Sequence, residues 1–387
     1  MSLFPKYFTT ESKFCAKTNA KSYAIINTEG KKSALNLLIK RKVFLNMAKQ
    51  LRIGVIGAGG IARGVHLPSL SEIPEANVVA ICDLVVSKAK EMAEKYNIPA
   101  VYWDMYEMIE KENLDAAYVL VEPDRLFRAA SDCMNRGLHV FMEKPAGISA
   151  FQANSLVRIA QANNVICAVG MNRRHIPVVQ KVREIMAQAT EITEVDGRFM
   201  KSTDLGATAG GWNYASAYDC DGVHALDLVR YLAGSEVVDC ATVAEKHSGC
   251  PVENSWASVM RFANGVTGTM RSNYQAGARI HDFEIHGPGA SAFINVGFGG
   301  SECEATIIYS SNSKMYSLAS GGVGGMKVEK IDGKELAGSD KFYAYYGYKQ
   351  EDINFVNCVL EGKKPICSIE DAAKSMELVE LVHATEI

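Results

Sequence analysis

The sequence predicts an α/β protein in two parts: a doubly wound parallel sheet, then an α+β region with a large, mostly antiparallel open sheet. Three observations predict it. From Leu51 to about Gly170, apolar strand-like stretches alternate with helix-like ones at the pace of successive βαβ units. After about residue 190 the pattern changes to strands joined by short turns. The chain has 387 residues, too many for one compact core.

The elements follow in order. LRIGVIG (51–57) reads as an apolar strand and 60–72 as a helix; NVVAICD (77–83) is the second strand and SKAKEMAEKYN a charged amphipathic helix. DAAYVLV is a strand followed by a helix to Arg136, and HVFME (139–143) is the next strand. Ser149 with Gln152 forms a capping-box pattern opening a helix to about Asn163, and VICAVG closes this half. Strands this apolar imply a parallel sheet covered on both faces. Beyond, VDGRFMK, SWASVMRF, VTGTMRSN, RIHDFEIHG and TIIYS read as strands, with Asn264-Gly265 suited to a tight hairpin turn. One helix, from about Cys220 to Ala233, interrupts them, and the tail from about Tyr346 returns to helix.

Composition narrows the function. Net charge is -3, but residues 1–50 carry ten Lys/Arg against two Glu, leaving an acidic body. Nothing overall points to nucleic acid or an anionic membrane. No apolar run reaches membrane-spanning length. The ten cysteines form no CxxC pair, and several sit in apolar runs, so no zinc site or disulfide framework is expected and a reducing, cytoplasmic setting fits. Residues 1–49 are expected to be a basic, disordered extension, because Met47 opens MAKQLRIGVIG as a domain start should look; an organellar transit peptide is the alternative.

The first strand runs directly into Gly57-Ala58-Gly59-Gly60-Ile61-Ala62, a G-x-G-x-x-A pattern. Gly57 permits the tight turn, Gly59 lets backbone approach a pyrophosphate, and Ala62 keeps helix close to strand. The helix N-terminus, from Gly60 and Ile61, offers free N–H groups. Asp83 ends the second strand 24 residues beyond Gly59, where a carboxylate accepts from a ribose 2′-OH and repels a 2′-phosphate. The expected cofactor is therefore NAD, with NADP less favoured. Residues 50–170 are expected to be a Rossmann dinucleotide-binding domain, and 171–387 an α+β domain whose last helices pack back on the first.

The segments GAGGIARGVHLPSL, GLHVFMEKP, AVGMNRRHIP and DGVHALDLVRYLAG, in this order, resemble the glucose-fructose oxidoreductase / inositol dehydrogenase / MocA family over about residues 50–385. The resemblance implies a Rossmann domain joined to an α/β domain whose open sheet face forms a homo-oligomer, and hydride transfer to or from a hydroxyl or carbonyl carbon of a sugar, cyclitol or related polyol. It implies that Lys144, in Glu143-Lys144-Pro145, sits beside the nicotinamide and the reacting oxygen, where an ammonium stabilises developing alkoxide character. It further implies that His224 acts as acid/base with a carboxylate partner. Relatives carry that carboxylate four residues before the histidine, where this chain has Cys220; Asp221 is preferred instead, Asp219 reads as an N-cap, and Asp227 is a second neighbour able to orient the ring.

After the fourth strand, Glu122-Pro123-Asp124 and Phe127 replace the family's Thr-Pro-Asn and histidine; Glu122, with Pro123, is expected at the cofactor, either binding a ribose hydroxyl or disfavouring a nearby phosphate. Asn172, Arg173 and Arg174 match a segment near cofactor and substrate, and guanidinium groups there suit hydroxyls or a carboxylate. Trp212, Tyr214 and Tyr218 on a Gly-rich loop suit stacking on sugar faces or packing on a neighbouring subunit. No metal site is expected. Two other functions use the same equipment: a redox-neutral glycoside hydrolase with bound NAD, and a non-catalytic cofactor or sugar sensor.

Overall fold

The computed structural model describes residues 50–203, 216–297, 302–316 and 325–387. The first sheet contains β1 (Leu51–Ile56), β2 (Ala76–Cys82), β3 (Ala100–Tyr102), β4 (Ala116–Val119), β5 (His139–Met142) and β6 (Cys167–Val169). Every pairing is parallel, in the order β3-β2-β1-β4-β5-β6. The order reverses between β1 and β4, the switch point at which open α/β sheets bind their ligands. β4 is buried at every position, as a strand covered on both faces requires. The Ser149 hydroxyl accepts from the Gln152 N–H at 3.3 Å and so caps the helix Ala150–Asn163.

The second sheet has eight strands: β7 (Glu194–Ser202), β8 (Val237–Glu245), β9 (Ser255–Phe262), β10 (Thr267–Asn273), β11 (Gln275–Gly287), β12 (Ala290–Val296), β13 (Cys303–Tyr309) and β14 (Lys327–Asp332). Their order is β14-β13-β12-β11-β7-β10-β9-β8, antiparallel except where β10 meets β7. Gly265, with φ +88°, turns β9 into β10 as the Asn-Gly pair predicts. Four strands across the two sheets, β3, β8, β12 and β14, are not evident in the sequence, nor is the helix Pro177–Ala189, which packs on β12 and β13.

The helix Val223–Ala233 lies on β7 and β10, on the inner face. Gly197 of β7 allows this approach: a Cβ there would stand 2.7 Å from Val229. The opposite face leaves Val243, Val259, Ile280 and Phe293 exposed. The tail helix Tyr348–Glu361 packs on β1 and on the helical segment after it, and Ile369–Ala384 packs on the helices Ala150–Asn163 and Val223–Ala233. No helix among the described residues is long and apolar enough to cross a membrane. The nine described cysteines are free thiols, and no metal-binding group of His, Cys, Asp and Glu occurs among the described residues.

Candidate active site

The glycine turn is built for a close backbone approach. Gly57 has φ +103°, and a Cβ there would meet the Leu120 carbonyl oxygen at 2.3 Å, so only glycine fits. A Cβ on Gly59 or Gly60 would meet nothing within 4 Å. The space above both is open, which is what a pyrophosphate lying on the helix start requires. Ile61 and Ala62 lead into a π-helical turn, Ala62–His66, continued by Leu67–Leu70. Asp83 ties this turn to β2: its carboxylate accepts from the N–H of Ala58 at 2.8 Å and of Val85 at 2.7 Å. Glu122 is exposed and precedes Pro123, the first residue of the helix Pro123–Met134, at the carboxyl end of β4. These positions fit a dinucleotide with its pyrophosphate over Gly59, a ribose beside Asp83 and its other half toward Glu122 and Lys144.

Glu143, Lys144 and Pro145 leave the carboxyl end of β5, with the Lys144-Pro145 bond cis. Glu143, expected at the cofactor, is also a buried anchor: one oxygen lies 3.2 Å from His66 Nε2 and the other accepts the Lys144 N–H at 3.2 Å. His66 Nδ1 lies 3.0 Å from Asp352. Burial would lower the pKa of His66, but the charge and hydrogen bond of Asp352, then those of Glu143, raise it to about 10. His66 is thus an imidazolium holding the backbone from which Lys144 projects.

The Lys144 ammonium donates to the Cys220 carbonyl at 2.8 Å. Cys220 lies in the π-helical turn Tyr218–Gly222, one turn before His224, so this bond brings the lysine to the histidine's helix. The Cys220 thiol is buried and pushed up to about 12 by that burial, a packing group rather than an acid. His224 is buried with no partner at Nδ1. Burial, then the charges of Arg173, Lys144 and Lys201, hold it neutral, far below the usual imidazole range.

Asp221 does not pair with His224. Its carboxylate takes the Lys201 ammonium and, at 3.2 Å, the Tyr274 hydroxyl. Burial raises its pKa, but Lys201 and Lys144 outweigh that and hold it below the usual carboxylate range. Asp227, a possible ring orienter by spacing, is committed elsewhere: Arg174 grips it through two 2.7 Å bonds, and Ser375 donates to it at 2.6 Å. Asp219 returns a capping bond rather than starting one, donating its N–H to the Ser216 hydroxyl and accepting the Ser216 N–H.

The expected substrate residues divide. Arg174 also bonds Asp371, stacks over Tyr231 and spends its donors within the protein. Asn172 donates to the Tyr346 carbonyl at 2.9 Å and is likewise structural. Arg173 is buried, lies 4.8 Å over the Phe199 ring and has 3.3 Å between Nη2 and His281 Nδ1, yet its Nε and Nη1 have no hydrogen-bond partner among the described residues. Tyr218 is core rather than a sugar platform, stacked 4.8 Å from Trp256. Trp212 and Tyr214 lie outside the described residues.

Four participants were not anticipated: His66, Lys201, Tyr274 and His281. The period-two register of β7 carried a signal, since Lys201 falls on the inner face with Val195 and Phe199. His281 likewise shares a face with Phe283 and Ile285 on β11.

Comparison with known proteins identifies the family and the fold. Residues 51–171 match the family model described as oxidoreductase family, NAD-binding Rossmann fold, and residues 179–293 match the GFO/IDH/MocA C-terminal domain. An uncharacterised oxidoreductase, YrbE, of Bacillus subtilis is 26% identical over 200 residues, covering 50% of this chain and 57% of that protein. A myo-inositol 2-dehydrogenase of Thermotoga maritima is 27% identical over 237 residues, 58% of this chain and 69% of its own length. A dehydrogenase structure from Chromobacterium violaceum shares the fold with a TM-score of 0.76 at 17% identity, covering 87% of this chain and 96% of that one. Fold and family models define the class as an NAD-binding oxidoreductase with a parallel Rossmann sheet and a second, mostly antiparallel sheet. The chain belongs to the Gfo/Idh/MocA family.

Proposed function

We propose that the protein is an NAD-dependent dehydrogenase acting at a CH–OH or carbonyl carbon of a sugar, cyclitol or related polyol. The observation that carries this reading is the bond from Lys144 to the Cys220 carbonyl, which sets an ammonium one helical turn from a neutral, unpartnered imidazole at the mouth of a dinucleotide cleft. The nicotinamide, when bound, accepts or returns the hydride. In the oxidative direction Lys144 holds the reacting oxygen and His224 takes the hydroxyl proton as the C–H bond is lost, leaving a carbonyl. Asp221 works through Lys201, fixing that ammonium beside the histidine rather than orienting the ring itself. Asp83 favours NAD over NADP, since its carboxylate opposes a 2′-phosphate. The exposed apolar positions Val243, Val259 and Phe293 on the open sheet face support a homo-oligomer through that face.

The test is a spectroscopic screen with NAD and NADP against sugars, cyclitols and their keto forms in both directions, repeated with Lys144→Met. Turnover of one substrate class, falling about 100- to 1000-fold in kcat with the methionine, is the expected result. Full turnover by the variant removes Lys144 from the chemistry. Tight cofactor binding without net turnover shifts the reading to the redox-neutral hydrolase.

A further inference from the structure

Among the described residues, the inner end of the candidate site is short of negative charge. Phe199 of β7 is the centre of the arrangement. Arg173 lies 4.8 Å from its ring centroid, Lys201 lies 4.9 Å from it, and His281 stacks on it at 4.3 Å with 10° between the planes. Lys201 finds one carboxylate, Asp221, which it shares with the Tyr274 hydroxyl. Lys144 has a neutral carbonyl for a partner, and Arg173 a neutral ring nitrogen. Arg173 is 4% exposed, and its Nε and Nη1 have no hydrogen-bond partner among the described residues, the neutral Tyr346 hydroxyl being the group beside it.

We propose that this end of the site receives a carboxylate carried by the substrate itself, gripped by Arg173 with Lys201 beside it, so that the substrate is a hydroxy acid or sugar acid rather than a neutral polyol. This rests on the dehydrogenase reading above and names its substrate class. A planar guanidinium with free N–H groups matches a carboxylate in shape as well as charge. Hydroxyls of a neutral sugar can accept those hydrogens, but they leave the charge uncompensated in a site withdrawn from water.

The titrating groups nearby register the same surplus. Burial and Arg173, Lys201 and Arg279 hold His281 neutral, and burial holds Lys201 down to about 8 despite Asp221. Both histidines are therefore neutral at the point where three cations converge. A histidine could carry no useful positive charge here; an incoming anion is what the site accepts.

The experiment compares substrates that differ only at one terminal carbon, hexonates against the matching hexitols, in NAD-dependent turnover. It runs beside a binding measurement with malonate as the probe, reading thermal protection of the NAD-loaded protein. The expected result is a kcat/KM about 10- to 100-fold higher for the acid, carried by KM, and protection by malonate. Arg173→Gln should abolish both the discrimination and the protection, while retained NADH binding shows that the variant is folded. Lys201→Gln carries the same readouts if that variant does not fold. Equal kcat/KM for acid and neutral partners, with no malonate protection, overturns the proposal and leaves the dehydrogenase reading standing. Malonate protection that depends on Arg173, without turnover of any panel member, supports the anion site and overturns the dehydrogenase reading.

Discussion

Two buried ionic clusters flank Lys144, and they have opposite surpluses. On the side of the parallel sheet, His66 is enclosed by Glu143 and Asp352, with Glu351 close by. On the side of the antiparallel sheet, His224 and His281 are enclosed by Arg173, Lys201 and Lys144. Burial pushes all three histidines toward the neutral form, yet His66 is raised to about 10 and the other two are lowered. Depth does not decide protonation; the sign of the neighbouring charge does. The first cluster balances its charge within the protein: its imidazolium answers two carboxylates, and burial raises the Glu351 carboxyl far above its usual range, although Asp352 Oδ2 and both Glu351 oxygens have no hydrogen-bond partner among the described residues. The second leaves donors open, as a binding site must.

The largest expected effect tests that distinction through stability. His66→Phe keeps a ring among Tyr118, Phe141 and Tyr348 but leaves two buried carboxylates without their cation. It should cost about 3–5 kcal/mol, read as a fall in the urea midpoint. His281→Phe keeps the stack on Phe199 and loses the bond to Arg173 without stranding a buried charge, so it should cost less, about 1–2 kcal/mol. Equal losses at the two positions would break the comparison.

The two adjacent arginines sharpen it. Arg174→Gln strands Asp227, which is 1% exposed, and should cost about 3 kcal/mol. Arg173→Gln removes a guanidinium whose Nε and Nη1 are unpartnered, and should change stability by about 1 kcal/mol or less in either direction. Urea unfolding of the two variants side by side separates a structural arginine from a binding one. A large loss at Arg173 would place it among the structural ones.

That difference between neighbours was invisible in the sequence, where Arg173 and Arg174 are one motif. The parallel sheet was legible because β1, β2, β4 and β5 are continuous apolar runs, and Gly57 because its turn admits no side chain. β14 was not, since it alternates half-exposed and exposed residues at a sheet edge, and β8 carries its inward signal on Cys240 and Thr242 rather than on large apolar residues. The resemblance, not a local pattern, singled out Lys144 and His224. Their surroundings depend on contacts across long stretches of chain: Lys201 with Asp221, Arg173 with His281 and His66 with Asp352. No local pattern specifies such pairs. Asp221 was expected to partner His224, but its carboxylate pairs with Lys201, on a strand 20 residues earlier.

The smallest expected effect concerns a fourth histidine, which separates charge from depth. His383 is only part-buried, with Nε2 at 2.6 Å from Asp219 and Nδ1 at 2.6 Å from Glu386. The Asp219 hydrogen bond, against some desolvation, raises its pKa to about 9. Its folded pKa thus lies above the unfolded value of about 6.5, so its contribution is fully present below pH 6.5 and is lost as pH rises through 9. Solvent screening keeps the effect small, about 1–2 °C in Tm. Wild type should therefore melt above His383→Gln at pH 6, with the gap closing by pH 10. A gap constant across that range would mean that His383 holds Asp219, and with it the start of the His224 helix, by packing alone. An acidic neighbourhood would then raise a histidine only when burial is complete, as at His66.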